Sequence, residues 1–374
     1  MTFWAAPALA GAAYYVLVLA GAVRWFLGDR DPKRCAGTSG RLTEPISILK
    51  PIRGRDPKFF EAIRSHASQD YPEFEILFGL SDPKDAAAKD IARLQAEFPR
   101  LPISAYVIST KAPNAKVGVL AELARRAAHP VLLVNDSDIV VEPGYLRAVV
   151  APLADTRVGL VTCLYRAAAE SWPSRSEALG IATEFAPSVI VARLLGVAEF
   201  ALGSTMVFRA DSLRAIGGFE ALQNYLADDY QLGRHITEEL RLRIEFAPVI
   251  VETDLGAESW LEVWRHQLRW SRTIRVSRRS GYYGYVVTHA TLWALMAFAA
   301  RQWWAGAVAL GVRMLAGVVV GRGILGYRRV LRDCWMIPLR DLFGFAVWLG
   351  GLFGDEVLWR GKRLSLGHDG RIRL

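Results

Sequence analysis

The sequence predicts an α/β fold with a mostly parallel mixed sheet, flanked by apolar segments near both ends of the chain. Between residues 44 and 258, short β-rich runs such as ISILK, FEILFGL, ISAYVI and PVLLV alternate with helical runs. This alternation is typical of βαβ units on a mostly parallel sheet. The length of 374 residues allows two or three domain-sized units.

Composition and charge exclude several classes of protein. A hydrophobic content of 52% excludes a disordered chain and argues against an ordinary soluble enzyme. The net charge of +9 suggests polyanionic partners. The arginines cluster beside apolar segments rather than among stacking aromatics, so we expect no nucleic acid partner. Three widely spaced cysteines (Cys35, Cys163 and Cys334) exclude a disulfide framework and a Cys-rich zinc site.

Residues 1–28 are predicted to be an N-terminal transmembrane anchor. The run from Phe3 to Leu27 contains one charge, Arg24, and is long enough to cross a bilayer core of about 30 Å. A cleaved signal peptide would need a basic start and a shorter apolar core. The basic residues that follow the run mark the cytoplasmic side; they are Arg30, Lys33 and Arg34. We therefore expect an integral membrane protein whose main domain is cytoplasmic, at the inner membrane if the source is bacterial.

Apolar character returns in the last quarter of the chain. Residues 284–321 predict a transmembrane helical hairpin with aromatic residues Trp303 and Trp304 near its turn. Residues 334–354 form a third apolar segment, but it contains a proline and two charges and has basic flanks on both sides. An interfacial or re-entrant segment is therefore favoured over a spanning helix. Residues 355–374 are predicted to be a basic cytoplasmic tail.

Acidic residues follow the predicted strands. Asp82 comes directly after FEILFGL, and Asp136 and Asp138 come after PVLLV. In open α/β sheets, ligands bind at the carboxyl ends of the strands. Two carboxylates one residue apart can share a divalent cation with the oxygens of a diphosphate. The alternative is a turn whose aspartates cap a helix, and the same alternative applies to the pair Asp228 and Asp229.

Residues 259–280 are predicted to form a basic amphipathic helix at the membrane surface. Its apolar stripe consists of Trp260, Trp264 and Leu268. The arginines on a neighbouring face are Arg265, Arg269 and Arg272. Simple adhesion to the membrane would explain most of these arginines. The functional alternative is that one arginine and Trp270 close over a diphosphate, because the planar guanidinium suits phosphate oxygens.

These motifs, in this order, resemble a known family. ISILKPIRG, LSDPKD, DSD, LADDYQLG and RHQLRW together resemble the membrane glycosyltransferases of the ceramide glucosyltransferase type (family 21), which have a nucleotide-diphospho-sugar transferase (GT-A) fold. GLVTCLYR and WRHQLRWSRTIR look especially similar to the hopanoid-biosynthesis branch. The resemblance covers about residues 44–280 and extends to the membrane layout at both ends. It implies inverting transfer of a sugar from a UDP-sugar to the hydroxyl of a membrane lipid, a ceramide or other sphingolipid or a hopanoid polyol.

The resemblance implies roles for the residues of the first motifs. Lys50 and Pro51 match the first-strand pair whose loop borders the nucleotide. Asp82 matches an aspartate expected near the uridine. Asp136 and Asp138 match the D-x-D position, which is expected to hold Mg²⁺ or Mn²⁺ and the sugar-nucleotide.

The later motifs match the family with one departure. Asp229 matches the expected base that deprotonates the acceptor hydroxyl, with Asp228 as a supporting residue. The closing motif of the family is Gln or Arg, two residues, then Arg-Trp, which Arg269 and Trp270 match. His266 stands at the first position of that motif, and Gln267 lies one residue out of register, so the resemblance leaves open which of them contributes to donor binding.

Two other classes of function remain as alternatives. One is another GT-A membrane transferase, either a polysaccharide synthase, which usually needs more membrane helices, or an enzyme that acts on a polyprenyl phosphate. The other is a non-catalytic membrane-surface binding protein, which would not bind UDP together with a metal. Sequence pattern alone decides neither the sugar nor the choice between ceramide and a hopanoid.

Overall fold

The computed structural model describes residues 5–29, 43–197, 199–359 and 362–373. The chain divides into two compact units. The sheet unit comprises residues 29–165 and 198–254, and the helical unit comprises residues 1–28, 166–197 and 255–374. The basic residues on which the predicted membrane orientation depends, together with one of the three cysteines, lie outside the described residues; they are Arg30, Lys33, Arg34 and Cys35.

The strands are short and lie mostly in the sheet unit. In chain order they are β1 (Ile46–Ile52), β2 (Phe74–Leu80), β3 (Ile103–Val107), β4 (Val131–Val134), β5 (Val158–Thr162), β6 (Tyr165–Ala168), β7 (Met206–Arg209), β8 (Arg243–Phe246), β9 (Val251–Asp254), β10 (Glu356–Trp359), β11 (Lys362–Leu366) and β12 (Ile372–Arg373).

The helices alternate with the strands in the sheet unit and predominate in the helical unit. In chain order they are α1 (Ala5–Arg24), α2 (Phe59–Ala67), α3 (Ala87–Glu97), α4 (Ala115–Arg126), α5 (Tyr145–Val150), α6 (Trp172–Gly180), α7 (Ala186–Leu194), α8 (Ala210–Ala215), α9 (Asp228–Glu238), α10 (Trp260–Ser277), α11 (Arg279–Gly284), α12 (Ala290–Ala299), α13 (Trp303–Val318), α14 (Val330–Asp333) and α15 (Ile337–Gly351). Short 3₁₀ or π-helical turns extend several of them, among them Trp25–Asp29 after α1 and Val319–Ile324 after α13.

Seven strands of the sheet unit form one mixed sheet in the order β3-β2-β1-β4-β7-β5-β8. Strand β1 pairs in parallel with both β2 and β4, β2 with β3, and β5 with β8. Only β7 runs antiparallel to its neighbours β4 and β5. The predicted α/β fold with a mostly parallel mixed sheet is therefore confirmed.

Both faces of this sheet are covered, which explains why the first strands read as continuous apolar runs. Successive side chains point to opposite faces, so Ile48 belongs to one hydrophobic cluster and its neighbour Leu49 to the other. Residues of α2, α3 and α5 pack in the first cluster, and residues of α4, α8 and α9 pack in the second. The helices thus cover the two faces of the sheet, and the polar loops lie at the carboxyl ends of the strands.

Within the part of the chain that the structure describes, two helices of the helical unit are long and apolar enough to cross a membrane, by length and composition. They span Ala5–Gly28 and Trp303–Ile324. Small residues of α1, α12 and α13 pack together in one cluster, which allows close approach of helices; they are Ala5, Ala8, Ala12, Ala294, Ala297, Ala305 and Ala309. The first segment coincides with the predicted anchor.

The remaining apolar segments differ in part from the sequence prediction. The first arm of the hairpin predicted over 284–321 contains the helix Ala290–Ala299, whose 10 residues cover roughly 15 Å, about half of a bilayer core. The segment 334–354 contains the 15-residue helix α15 and buries both of its charges, Arg340 and Asp341. Its predicted re-entrant or interfacial position stays a prediction. The predicted tail folds instead into a three-stranded antiparallel sheet of β10, β11 and β12.

The amphipathic helix predicted over 259–280 is present as α10, within the helical unit. A capping box starts it: Ser259 accepts from the backbone N–H of Glu262, and the Glu262 carboxylate accepts from the backbone N–H of Ser259 at 2.8 Å. Much of its apolar stripe packs on α15, because the rings of Trp260 and Trp264 lie 6.0 and 5.7 Å from the ring of Phe343. The stripe therefore contacts a neighbouring helix of the protein.

Candidate functional site

The predicted strand-end carboxylates lie where the sequence places them. Asp82 follows the last residue of β2 by two positions, and Asp136 follows the last residue of β4 by two positions. Because β1 pairs in parallel with both β2 and β4, these two strand ends and the end of β1 lie on the same edge of the sheet. That edge is where open α/β sheets bind ligands.

Lys50 anchors the D-x-D loop from the middle of the sheet. Its side chain is fully buried in β1, and its Nζ donates to the backbone carbonyl of Asp136 at 3.1 Å. Burial lowers the pKa of Lys50 to about 7, although the charges of Asp138 and Asp136 oppose that shift. Pro51, the next residue of β1, is half-buried. Lys50 thus fixes the backbone of the loop.

Lys116, at the start of α4, brings two acidic motifs together. Its Nζ lies 2.9 Å from Oδ1 of Asp136 and 3.5 Å from Oδ2 of Asp228. Burial alone would lower the pKa of Lys116, but the charges of Asp136 and Asp228 outweigh burial and raise it, so the ammonium stays charged. One cation therefore links the D-x-D loop to the acidic pair at the start of α9.

Asp138 is the buried member of the D-x-D motif. Its Oδ2 accepts a hydrogen bond from the hydroxyl of Thr253. Burial, and then the charge of Asp136, raise the pKa of Asp138 to about 6. The intervening residue, Ser137, donates its hydroxyl to Oδ2 of Asp56 at 2.5 Å. Contacts with two other segments of the sheet unit thus hold the motif in place.

Asp229 is held by backbone N–H groups at the start of α9. Its Oδ1 accepts from the N–H of Tyr230 at 2.7 Å, and its Oδ2 accepts from the N–H of Gly203 at 3.0 Å. A Cβ atom at Gly203 would lie 3.3 Å from Oδ2 of Asp229 and 3.7 Å from Oδ2 of Asp136, so the two carboxylates approach the same glycine. Burial, and then the charge of Asp228, raise the pKa of Asp229 to about 6. Such a pKa suits a general base.

The donor chemistry of the D-x-D motif fits a hard divalent cation. Carboxylate oxygens are the preferred side-chain ligands of Mg²⁺ and Mn²⁺. The carboxylate of Asp136 is 47% exposed and one of its oxygens already binds the Lys116 ammonium, which shows that the position accepts positive charge. Burial, and then the charge of Asp136, raise the pKa of Asp138, and a bound cation would stabilise the charged form of this carboxylate.

Asp82 stands outside this cluster. Its side chain is exposed, and Oδ1 accepts from the backbone N–H of Lys84 at 2.8 Å. This is the Asx-type contact of a turn. The structure therefore places Asp82 at the correct strand end, with its carboxylate stabilising the loop after β2.

The residues of the predicted closing motif lie on α10, in the helical unit. The imidazole of His266 packs against the indole of Trp270, with ring centroids 4.6 Å apart. Gln267 donates from Nε2 to Oε1 of Glu177 at 2.9 Å and accepts from Nη2 of Arg340 at 3.0 Å. Gln267, one residue out of register, is therefore engaged with a buried glutamate of its own unit.

The arginines of α10 divide into two groups. Arg272 donates from Nε to the backbone carbonyl of Phe353 at 3.1 Å, and Arg275 donates to the carboxylate of Asp355 at 2.8 Å. These two arginines therefore hold the start of the C-terminal sheet. Arg269, which the family motif matches, lies one turn earlier on the helix and is half-buried.

Sequence reasoning missed Lys116 and Thr253. A signal for Lys116 was available: Asn114 caps α4 by accepting from the N–H of Val117 at 3.3 Å, so Lys116 stands in the first turn. A cation is unfavourable beside the positive end of a helix dipole unless an acidic partner compensates it. Thr253 has no comparable pattern, because its hydrogen bond to Asp138 depends on long-range folding.

Comparison with known proteins gives one family and several relatives. A model of glycosyl transferase family 21 matches residues 3–372. The chain is 27% identical over 197 residues to ceramide glucosyltransferase 1 of Caenorhabditis elegans, covering 51% of this chain and 42% of that one. It is 32% identical over 111 residues to a ceramide glucosyltransferase of Candida albicans, covering 26% and 20%. The chain thus spans less than half the length of the curated relatives it matches.

Among solved structures, the chain is similar to the mannosyltransferase PcManGT of Pyrobaculum calidifontis, solved in complex with GDP-Man and Mn²⁺. The TM-score is 0.56 and the identity is 16%, with 94% of this chain and 99% of that chain covered. At this identity the likeness shows the fold alone, and it confirms the GT-A-like architecture.

Proposed function

The chain belongs to glycosyl transferase family 21, and we propose that it transfers a sugar from a UDP-sugar to the hydroxyl of a membrane lipid, with inversion. The names of the curated relatives, which are ceramide glucosyltransferases, support a hexosyl donor and a lipid acceptor. A ceramide or other sphingolipid and a hopanoid polyol both fit that description. The proposal therefore covers both acceptors.

The arrangement of Asp229 supports the reaction type. An inverting transfer by single displacement needs one base that removes the acceptor proton as the oxygen attacks the anomeric carbon. Backbone N–H groups orient both oxygens of Asp229, and its pKa is raised to about 6, so the carboxylate is charged at neutral pH yet basic enough to accept a proton. Asp228 lies beside it and is held by Lys116.

The sheet edge around Asp136 would bind the donor. Asp136 and Asp138 would hold Mg²⁺ or Mn²⁺, and the ion would supply positive charge to the departing diphosphate. Lys50 fixes the backbone of that loop, and Lys116 offers a charged ammonium beside it. On the resemblance of their sequence motifs, we further propose that Arg269 and Trp270 contact the diphosphate and that Asp82 lies near the nucleoside. Positioning of donor and acceptor would supply much of the rate.

The apolar segments of the helical unit support a lipid acceptor. Two helices have the length and composition of membrane spans. A lipid hydroxyl lies at the membrane surface, so an enzyme that uses it must be held there. We propose that the sheet unit is cytoplasmic, where nucleotide sugars are made.

One assay tests donor and acceptor together. The purified chain, in nanodiscs with Mg²⁺ or Mn²⁺, receives a panel of UDP-sugars and either ceramide or bacteriohopanetetrol, and lipid products are read by mass spectrometry. We expect a hexosyl mass gain on one of the two lipids. The exposed-site variant Asp211→Asn is the matched control for loss of one aspartate and should give the same product.

Other outcomes separate the alternatives. UDP-sugar binding or hydrolysis without either lipid product would contradict the proposed acceptors and favour a polyprenyl phosphate or a growing polysaccharide. Absence of metal-dependent UDP binding would contradict the transferase proposal as a whole and leave a membrane-surface binding protein.

A further inference from the structure

A second cluster of potential metal ligands is built only from residues of the helical unit. Glu177 is on α6, Glu258 lies two residues before α10 begins, and His266 is on α10. One donor atom from each side chain lies within 4.8 Å of the donor atoms of the other two. None of the three belongs to the D-x-D motif or to the acidic pair of α9.

The cluster contains buried polar atoms that the described residues leave without hydrogen-bond partners. Glu177 is fully buried, yet its Oε2 has no partner among the described residues. The same holds for Oε2 of Glu258 and Nδ1 of His266. Buried polar atoms in folded proteins are almost always paired, so unpaired atoms on all three side chains of one cluster need an explanation.

The spacing within the cluster suits a shared cation. Nδ1 of His266 lies 2.8 Å from Oε1 of Glu177. Two ligands bound to one metal ion at about 2.1 Å each, at right angles, lie about 3 Å apart. The observed separation is close to that of two neighbouring ligands.

Neighbouring side chains hold Glu177 by hydrogen bonds, in the way that residues around a metal site hold the residues that bind the metal. Gln267 donates to Oε1 of Glu177 at 2.9 Å, and Arg340 donates to Gln267 at 3.0 Å. Hydrogen bonds of this kind fix the position of a ligating carboxylate.

We propose that Glu177, Glu258 and His266 bind a divalent first-row transition metal ion, Zn²⁺ or Mn²⁺. An imidazole together with two carboxylates favours these ions over Mg²⁺ and Ca²⁺, which prefer oxygen ligands alone. Three protein ligands leave at least one coordination position open. The His266 side chain is 23% exposed, so an ion can enter from that side.

The ion would also connect the cluster to the predicted closing motif. The ring of His266 packs on Trp270 at 4.6 Å, so coordination through Nδ1 would fix the imidazole against the indole. The departure from the family motif at position 266 would then have a physical reason, because arginine offers no lone pair to a metal ion and the amide oxygen of glutamine suits these ions less well than an imidazole nitrogen.

Nitrogen coordination distinguishes this site from the D-x-D site. The full chain in detergent is stripped of metal and titrated with Mn²⁺ without nucleotide; electron paramagnetic resonance counts bound ions, and electron spin echo modulation detects coupling to ¹⁴N. We expect bound Mn²⁺ with imidazole coupling, released when Zn²⁺ is added. The double variant Asp136→Asn/Asp138→Asn should keep that coupling, because its substituted side chains belong to the other site.

Variants assign the ligands. His266→Gln should abolish the ¹⁴N coupling, and Glu258→Gln should weaken Mn²⁺ binding at least tenfold. Glu170→Gln, which changes an exposed carboxylate of the same unit, should change neither. Wild-type protein with no nitrogen-coupled Mn²⁺ and no bound Zn²⁺ would overturn the proposal, whether or not the variants fold. Coupling that persists in folded His266→Gln would also overturn it, since another histidine would then be the ligand.

Discussion

The two units of the molecule treat buried charge differently. In the helical unit, buried aspartates are each matched by an arginine: Asp341 by Arg313 at 2.6 Å and Asp333 by Arg175 at 2.7 Å. At the sheet edge, four aspartates gather around two lysines. These residues are Asp136, Asp138, Asp228 and Asp229, with Lys50 and Lys116.

This difference separates structural charge from functional charge. A neutral pair satisfies its own electrostatics and needs no further partner. Burial, and then the charges of neighbouring carboxylates, raise the pKa of Asp138 and of Asp229, and this excess of negative charge costs stability unless a cation or a substrate completes the site. The Glu177, Glu258 and His266 cluster resembles the sheet edge in this respect, although it lies in the unit of neutral pairs.

Asp229→Asn should have the largest effect on activity and little effect on folding. Loss of the base should lower the transfer rate by about 10²–10⁴-fold. Asparagine can accept from only one of the two N–H groups that Asp229 binds, but the substitution also removes repulsion with Asp228. Turnover, UDP affinity and melting temperature should be measured side by side.

The control for this variant is Asp211→Asn, which removes an aspartate whose side chain is 82% exposed. It should match the wild type in all three measurements. If Asp229→Asn loses UDP affinity together with turnover, Asp229 binds the donor and the assignment as base is wrong. If it keeps wild-type turnover, another group is the base.

Arg313→Met should have the opposite effect to Asp229→Asn: it should lower the stability of the fold more than it lowers the transfer activity. Nε and Nη2 of Arg313 donate to the two carboxylate oxygens of Asp341 at 3.0 and 2.6 Å, and both side chains are buried. Removal of one partner leaves an uncompensated buried charge, which typically costs about 3–5 kcal/mol. We expect a lower melting temperature in detergent, measured by intrinsic fluorescence.

The double variant Arg313→Met/Asp341→Leu tests the reason for that loss. Replacement of a whole buried pair by apolar residues is often neutral. Most of the lost stability should therefore return. A double variant as unstable as Arg313→Met would show that the pair contributes through specific contacts, for example the hydrogen bond from Thr291 to Asp341, and would weaken the contrast between the two units.

Sequence pattern predicted the sheet edge better than it predicted the helical unit. The first four strands and Asp136 follow from apolar runs and from the rule that parallel strands end on one edge. The reversed direction of β7 was not predicted, because strand direction depends on long-range pairing. Lys116 was missed because its acidic partners lie 20 and more than 100 residues away in the chain.

In the helical unit, periodicity identified the helices but not their partners. The stripe of α10 predicted a membrane surface, yet Trp264 packs on Phe343 of α15. The sequence analysis did not identify the strands of the C-terminal sheet, which are only two to five residues long. Arg272 and Arg275 hold the start of that sheet through contacts about 80 residues apart in sequence, which local pattern cannot show.

The smallest predicted effect is the dependence of activity on pH, which depends on the functional charges at the sheet edge and not on the structural pairs of the helical unit. A base with a pKa of about 6 loses activity as it becomes protonated, so kcat/KM should fall about tenfold between its plateau and pH 5. An aspartate at its ordinary pKa of about 3.9 would give a flat profile there.

Charged side chains near Asp229 make the pH profile testable. Asp228 and Asp136 raise the pKa of Asp229, whereas Lys116 lowers it. Lys116→Met should therefore move the acid limb to higher pH, even where it also weakens donor binding. Asp138 has a similar raised pKa of about 6, so Asp138→Asn is the necessary control and should leave the position of the limb unchanged. A limb that disappears in Asp138→Asn would assign the titration to donor binding and leave Asp229 without kinetic support as the base.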